Sequence, residues 1–326
     1  ADTAGAGNGL AVSGGHVYNR AMLRAAARAG FPLLAVPIPP QAATLPELPA
    51  KPAGLLWDSL CLPLLASQPV YRADVRQGLL MHWLPWADPL LTGPEQSRLR
   101  GQFDYATRNI GFFLATGASV AAHLAALLPD RPVWLCEPGV AAVFGASRPQ
   151  CRNPSPSGRV RIITVANLLP AKRPVELLDL LARIDAPWEW HLAGATGLDP
   201  AGTARLQARV QKLGLEGRVT LHGELGAAAL ARLMGRMDLL ASFSAHEAYG
   251  MALAEGVACG LPVVATAVGA ADTLVQADVT GLLVPWDDAE GFRRALERLI
   301  RSADLRRRFA RAAARRPPRR WPAAFA

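Results

Sequence analysis

Cysteine is scarce. The 326 residues hold four, Cys61, Cys136, Cys151 and Cys259, with no Cys-x2-Cys spacing. That excludes a disulfide framework and a paired-cysteine zinc site, and it suits a reducing cytoplasm. The six histidines form no His-x-x-x-His pair, and His246-Glu247 lacks the second His of a zinc-protease helix. No GxGxxG or GxxxxGK[ST] phosphate loop occurs. No apolar run reaches the ~18 residues that a membrane-crossing helix needs. The chain opens without a charged segment leading into an apolar core, so no secretory signal is expected. It also opens without Met, which reads as trimming. Charged residues are few, 19% against 51% hydrophobic, which excludes a disordered chain. The length leaves room for two domains of ordinary size.

Net charge is +9, but it is local. From Gly291 onward there are 12 Arg against only Glu297 and Asp304, so the remaining chain is close to neutral. The plain reading is a solvated helix face with a frayed end. The sharper one is peripheral contact with an anionic membrane, at the inner face. Nucleic acid is disfavoured, because the arginines have almost no interleaved aromatics.

Apolar runs and turn signals alternate along the chain. Ser13 to Arg20 leads into a helical pattern of Ala, Leu and Arg that ends at Gly30; others lie around Pro94 to Arg108 and from Ser119, read as a cap, to Leu128. Strand patterns fall at Phe31 to Val36, Ala53 to Leu60, Gly78 to His82, Phe112 to Thr116 and Val133 to Leu135. A segment rich in Ser, Pro, Arg and Gly, Gly145 to Gly158, reads as a linker. A second βα set then runs from Val160 to Arg315. This predicts an α/β protein with parallel sheets, divided as 1–146, a linker at 147–158, 159–315 and a basic tail at 316–326.

The most informative stretch runs from Ser244 to Thr266 and reads as loop, helix, tight turn and strand. Gly250 enters the helix, and Gly260 with Pro262 stops it. Glu247 precedes the helix and Glu255 lies about one turn inside it, with the Gly250, Met251 and Ala252 amides between them. A helix N-terminus holds anions, phosphate above all. Carboxylates hold phosphate poorly but accept hydrogen bonds from sugar hydroxyls. A sugar on one carboxylate, a ribose on the other and a diphosphate between them outline a nucleotide-sugar.

With Gly250 and the run Cys259-Gly260-Leu261-Pro262-Val263-Val264-Ala265-Thr266, this stretch resembles the Glu-x7-Glu signature of the family 4 retaining glycosyltransferases, of GT-B fold. The resemblance extends to Gly14-Gly15, at the Gly-rich loop after a first strand, and to Glu137-Pro138-Gly139-Val140, at the turn closing the first domain. It includes Val165 to Lys172, where the family commonly reads Gly-Arg-Leu and then Lys-Gly. Asn167 stands at the usual Arg and Arg173 at the usual Gly. Residues 1–13 lack an apolar first strand, and the chain stops soon after Trp321, where the family has a helix crossing back.

The resemblance implies two Rossmann-like domains facing a central cleft, with an acceptor-binding first domain and a nucleotide-sugar-binding second. It implies a donor site of Gly14, Gly15, Asn167, Lys172, Glu247, Tyr249, Gly250, Met251, Ala252 and Glu255. Catalytic roles fall to Lys172, which neutralises the leaving diphosphate, to Glu247, and to His82 after its strand. For the acceptor the candidates are Trp83, Trp86 and Asp58, with core packing an equal reading of the two Trp. His246 reads as structural. No Asp-x-Asp stands where a metal-dependent transferase places one, so neither metal nor other cofactor is expected. The reading is retaining transfer of a sugar from a UDP- or GDP-sugar to an acceptor hydroxyl. Its rivals are a GT-B phosphorylase or nucleotide-sugar epimerase, and a catalytically silent GT-B scaffold.

Overall fold

The structure is a computed structural model. It describes residues 14–31, 33–38, 42–48, 52–68, 74–145, 155–316 and 318–321. The first half contains α1 (Gly14–Arg28), β1 (Gly54–Asp58), α2 (Leu62–Ser67), β2 (Arg76–Met81), α3 (Gly93–Ala106), β3 (Phe112–Ala115), α4 (Ala118–Leu127) and β4 (Val133–Leu135). Its four strands form a parallel sheet in the order β1-β2-β3-β4. Trp57, Leu79, Phe103, Phe113 and Leu124 are buried between this sheet and its helices.

The second half contains β5 (Val160–Val165), α5 (Pro174–Ala182), β6 (Trp188–Ala193), α6 (Pro200–Lys212), β7 (Val219–Gly223), α7 (Ala227–Met234) and β8 (Leu239–Ser242). It continues with α8 (Met251–Ala258), β9 (Val263–Thr266), α9 (Ala271–Leu274), β10 (Gly281–Val284), α10 (Ala289–Arg301) and α11 (Ala303–Ala314). Its six parallel strands run β10-β9-β8-β5-β6-β7. The elements follow from local chemistry. Asp199 and Asp288 cap α6 and α10 by accepting from the amides three residues on. On α10, Phe292, Ala295, Leu296, Leu299 and Ile300 are buried, a helical stripe against the sheet.

Three expectations meet a different outcome. The run Phe31 to Val36 forms no strand among its described residues, and Phe31, Leu33, Leu34 and Val36 are exposed. A strand needs a neighbour, and this run lies in a Pro-rich segment with no ladder beside it. Ser119 does not cap α4. Gly117 does, because a side chain there would meet the Ala248 carbonyl oxygen at 2.9 Å, where the halves touch. Gly14 and Gly15 are not loop residues but the first turn of α1. The missing first strand concerns residues 1–13, and the centre of the expected linker residues 146–154; both lie outside the described residues.

Each half contributes residues to the other. Val140 and Phe144 pack into the core around β8 and β9. Residues 318–321 return to the first half. Val140 donates its amide to the Arg319 carbonyl at 2.8 Å, and Arg319 pairs with Glu137 at 2.7 Å. Arg320 donates to the Ala141 and Phe144 carbonyls, and Trp321 packs edge-on against Tyr18 of α1. Arg293, Arg298, Arg301, Arg306, Arg307, Arg308 and Arg316 likewise donate to carboxylates or carbonyls. Most of the basic cluster thus has partners within the fold. Among the described residues no helix is long and apolar enough to cross a membrane.

The close approach of the halves at Gly117 is directly testable. Gly117→Ala is expected to lower the unfolding free energy by ~1–3 kcal/mol in urea titrations, the usual cost of overpacking a tight contact.

Candidate functional site

The order of the second sheet reverses between β5 and β8. Loops leaving the C-terminal ends of those strands diverge there, and the crevice between them is where open α/β sheets bind ligands. The β5 loop carries Asn167 through Lys172, and the β8 loop carries Ser244 through Gly250. The Lys172 ammonium donates to Glu247 Oε1 at 2.5 Å, and Ser244 Oγ donates to the same oxygen at 3.1 Å. Both side chains of the ion pair are 21% exposed, so the pair is shielded from bulk solvent but open to a ligand. Asn167 Oδ1 accepts from the Ala195 amide at 3.0 Å, joining the loops after β5 and β6. Arg173 holds φ at 51°, in the left-handed region, which accounts for glycine at this position in the family that the sequence resembles. Its guanidinium is held over the Phe243 ring at 4.0 Å and donates to the Trp286 carbonyl.

The β8 loop ends at Gly250, whose φ of 94° caps α8. The first bonds of the helical ladder run from Leu253 and Ala254 to the Gly250 carbonyl, so the Gly250, Met251 and Ala252 amides lie ahead of it. From the opposite half, Gly14 lies against Met251, so the N-termini of α1 and α8 face each other. Glu255 sits one turn into α8, half-buried beside the cleft. Desolvation pushes its pKa up to about 8. Tyr249 is buried but lines the cleft. Burial first, then the nearby Glu137, pushes its hydroxyl up to about 12, against the opposing effect of Arg319.

His82 follows β2 at the same mouth. Its Nε2 lies 3.1 Å from Asp58 Oδ2 and 3.2 Å from Asn19 Oδ1. Asp58, expected at the acceptor from its strand-end position, is engaged with His82 and Asn19. One carboxylate oxygen accepts from the Leu60 amide, and the other faces Asn19 and His82. Of the two expectations for Trp86, acceptor contact or core packing, the structure has the second. It is core, 4.6 Å from the Phe103 ring and under the Arg100 guanidinium. Trp83 does line the cleft. Two residues escaped the sequence reading. Asn19 gave no signal beyond its helix. His246, read as structural, lines the cleft beside Glu247, and burial first of all lowers its pKa.

Lys172, Glu247, Tyr249, Glu255, His82 and Trp83 share one cleft of about 1850 Å³ between the two sheets. That exceeds the several hundred Å³ of a single drug-sized pocket, and it suits two substrates side by side. The cleft wall has a measurable cost. Because the Glu255 pKa lies above its unfolded value, the proton it keeps stabilises the fold at low pH. That contribution is lost as pH rises from the ordinary carboxylate range through about 8. Glu255→Gln is expected to equal wild type in stability near pH ~4 and to exceed it by ~2–4 kcal/mol above the Glu255 pKa, read by urea unfolding across pH.

Comparisons with known proteins agree with this architecture. A D-inositol 3-phosphate glycosyltransferase of Mycobacterium marinum is 33% identical over 138 residues, covering 42% of this chain and 30% of that protein. The matched segment thus spans about a third of that relative. The sucrose-phosphate synthase of Thermosynechococcus elongatus superposes with a TM-score of 0.68 at 21% identity, over 80% of this chain and 67% of its own. Anabaena HepE, solved in complex with UDP-glucose, superposes at 0.65 with 21% identity, over 79% and 72%. These likenesses establish the GT-B fold. The family model described as glycosyl transferases group 1 matches residues 150–316, half of the chain and all of the sheet that carries Lys172, Glu247 and Glu255, and the protein belongs to that family.

Proposed function

We propose that the protein transfers a sugar from a UDP- or GDP-sugar to an acceptor hydroxyl, retaining the anomeric configuration and using no metal or other cofactor. The observation that carries this reading is the Lys172–Glu247 pair at the sheet's switch point, facing the free N-terminus of α8 with Glu255 one turn further in. The diphosphate would lie on the Gly250, Met251 and Ala252 amides. Lys172 would exchange Glu247 for the phosphate oxygens, and Glu247 would turn to the sugar hydroxyls. Glu255 would accept from the ribose hydroxyls as it gives up its proton. Gly14, Gly15, Asn167 and Tyr249 complete the donor wall, with His82 opposite.

In the proposed chemistry the acceptor hydroxyl attacks from the face that the diphosphate leaves. Its oxygen bonds to the anomeric carbon, the bond to the phosphate oxygen breaks, and that oxygen takes the acceptor's proton. Charge grows on the diphosphate in the transition state, where Lys172 and the helix amides are already placed. No side chain is needed as a nucleophile. The acceptor, a sugar, lipid-linked or small-molecule hydroxyl, would enter along the first-half wall near Trp83. The activities named for the D-inositol 3-phosphate glycosyltransferases and the UDP-glucose complex of HepE support this reading.

Titration with UDP-glucose and with GDP-mannose tests it. One of them is expected to raise the melting temperature. Lys172→Met should weaken binding by roughly 10- to 100-fold with the circular dichroism spectrum unchanged, the size of a lost charged donor. Turnover on an acceptor panel should survive EDTA. Conversion of donor alone into another nucleotide-sugar would point to an epimerase, and sugar phosphate formed with inorganic phosphate to a phosphorylase. Failure of every nucleotide-sugar to bind would leave the silent scaffold.

A further inference from the structure

We propose that Asp58 and Asn19 are positioning residues that hold the His82 ring in its Nε2–H form, so that Nδ1 is the ring atom left to hydrogen-bond a hydroxyl in the cleft. The argument begins with Nε2, which faces two oxygens, Asp58 Oδ2 at 3.1 Å and Asn19 Oδ1 at 3.2 Å. A carboxylate can only accept, so Nε2 must donate. The orientation of Asn19 is not free to contradict this. Its amide nitrogen donates to the same Asp58 oxygen, which turns its carbonyl oxygen to the ring. Burial alone would raise the Asp58 carboxyl. It is nonetheless held below the usual carboxylate range, first by the hydrogen bond from His82 and further by bonds from the Leu60 amide and Asn19, so it is ionised at neutral pH.

The rest of the surroundings fix the ring in place. His82 is 6% exposed and its amide donates to Ser59 Oγ at 3.1 Å. Its carbonyl accepts from Thr116 Oγ1. Tyr18 packs edge-on against the ring at 5.5 Å, and its own hydroxyl donates to the Cys136 carbonyl. With Nε2 committed, Nδ1 is the ring's remaining hydrogen-bonding atom, and His82 lines the cleft. Three elements thus converge on one nitrogen: α1 through Asn19, the end of β1 through Asp58, and the end of β2 through His82. That the hydroxyl belongs to a nucleotide-sugar or its acceptor rests on the function proposed above. The tautomer does not.

The test is a two-bond ¹H–¹⁵N spectrum of the histidine-labelled full chain without ligand. His82→Gln identifies the His82 signals among the six histidines. An Nε2–H pattern at neutral pH is expected. In Asp58→Asn, which keeps the oxygen that accepts from the Leu60 amide, the Nδ1–H form should appear. UDP-glucose affinity should fall about 10-fold there, the scale of one misassigned hydrogen bond. An Nδ1–H ring in the wild-type chain, or an unchanged tautomer in Asp58→Asn, would overturn the proposal. Should that variant not fold, the wild-type spectrum decides alone. An Nε2–H ring in a chain that binds neither UDP-glucose nor GDP-mannose would count against the proposed function and leave the positioning role standing.

Discussion

The salt bridge between Lys172 and Glu247 is the contact on which the site depends. It ties together the loops that the reversal of strand order drives apart. An exposed pair of this kind contributes little, because water and salt compete for both partners. Here both groups are partly shielded, and Ser244 adds a third partner to the shared oxygen. The pair therefore keeps a cation and an anion ready at the crevice. Each neutralises the other while the cleft is empty, which avoids the cost of an isolated charge in a confined space.

The same economy of charge appears around α8. Its N-terminus and that of α1 meet across the cleft, bringing two positive dipole ends together. The pKa of Glu255, one turn into α8, is pushed up to about 8 by desolvation. Polar groups in the cleft are thus held in states that a ligand can change: an ion pair that can be exchanged and a carboxyl that can lose its proton. Stability is lower than a closed core would provide, and the loss is concentrated at the residues nearest the crevice.

Much of this was legible where the signal is local. The unit from β8 through α8 to β9 announces itself by a buried run, a helix-entry glycine and a Gly-Pro stop, all set by a few adjacent residues. Lys172 was legible through its loop. What failed depended on neighbours distant in sequence. Trp83 and Trp86 are three residues apart, yet one lines the cleft and the other fills the core, because a short 3-10 turn at Pro85–Ala87 rotates the chain between them. Asp58 was placed at the right end of its strand, but its partners come from α1 and from the strand next to it. Ser119 has the chemistry of a cap. Contact with the other half, at Gly117, decides where that helix begins. The apolar Phe31–Val36 run satisfied strand propensity without any edge to join.

The return of residues 318–321 onto the first half bears on synthesis. Tyr18 lies near the start of the described chain, and one ring in contact with it belongs to Trp321. Glu137, Ala141 and Phe144 likewise receive partners from Arg319 and Arg320. A chain leaving the ribosome can close the second sheet, from β5 to β10, on contacts already synthesised. The first half must wait with those partners missing until residues 318–321 have emerged. Though made earlier, it is therefore completed after the second sheet, and its exposed apolar surface in that interval is where a chaperone would be expected to bind.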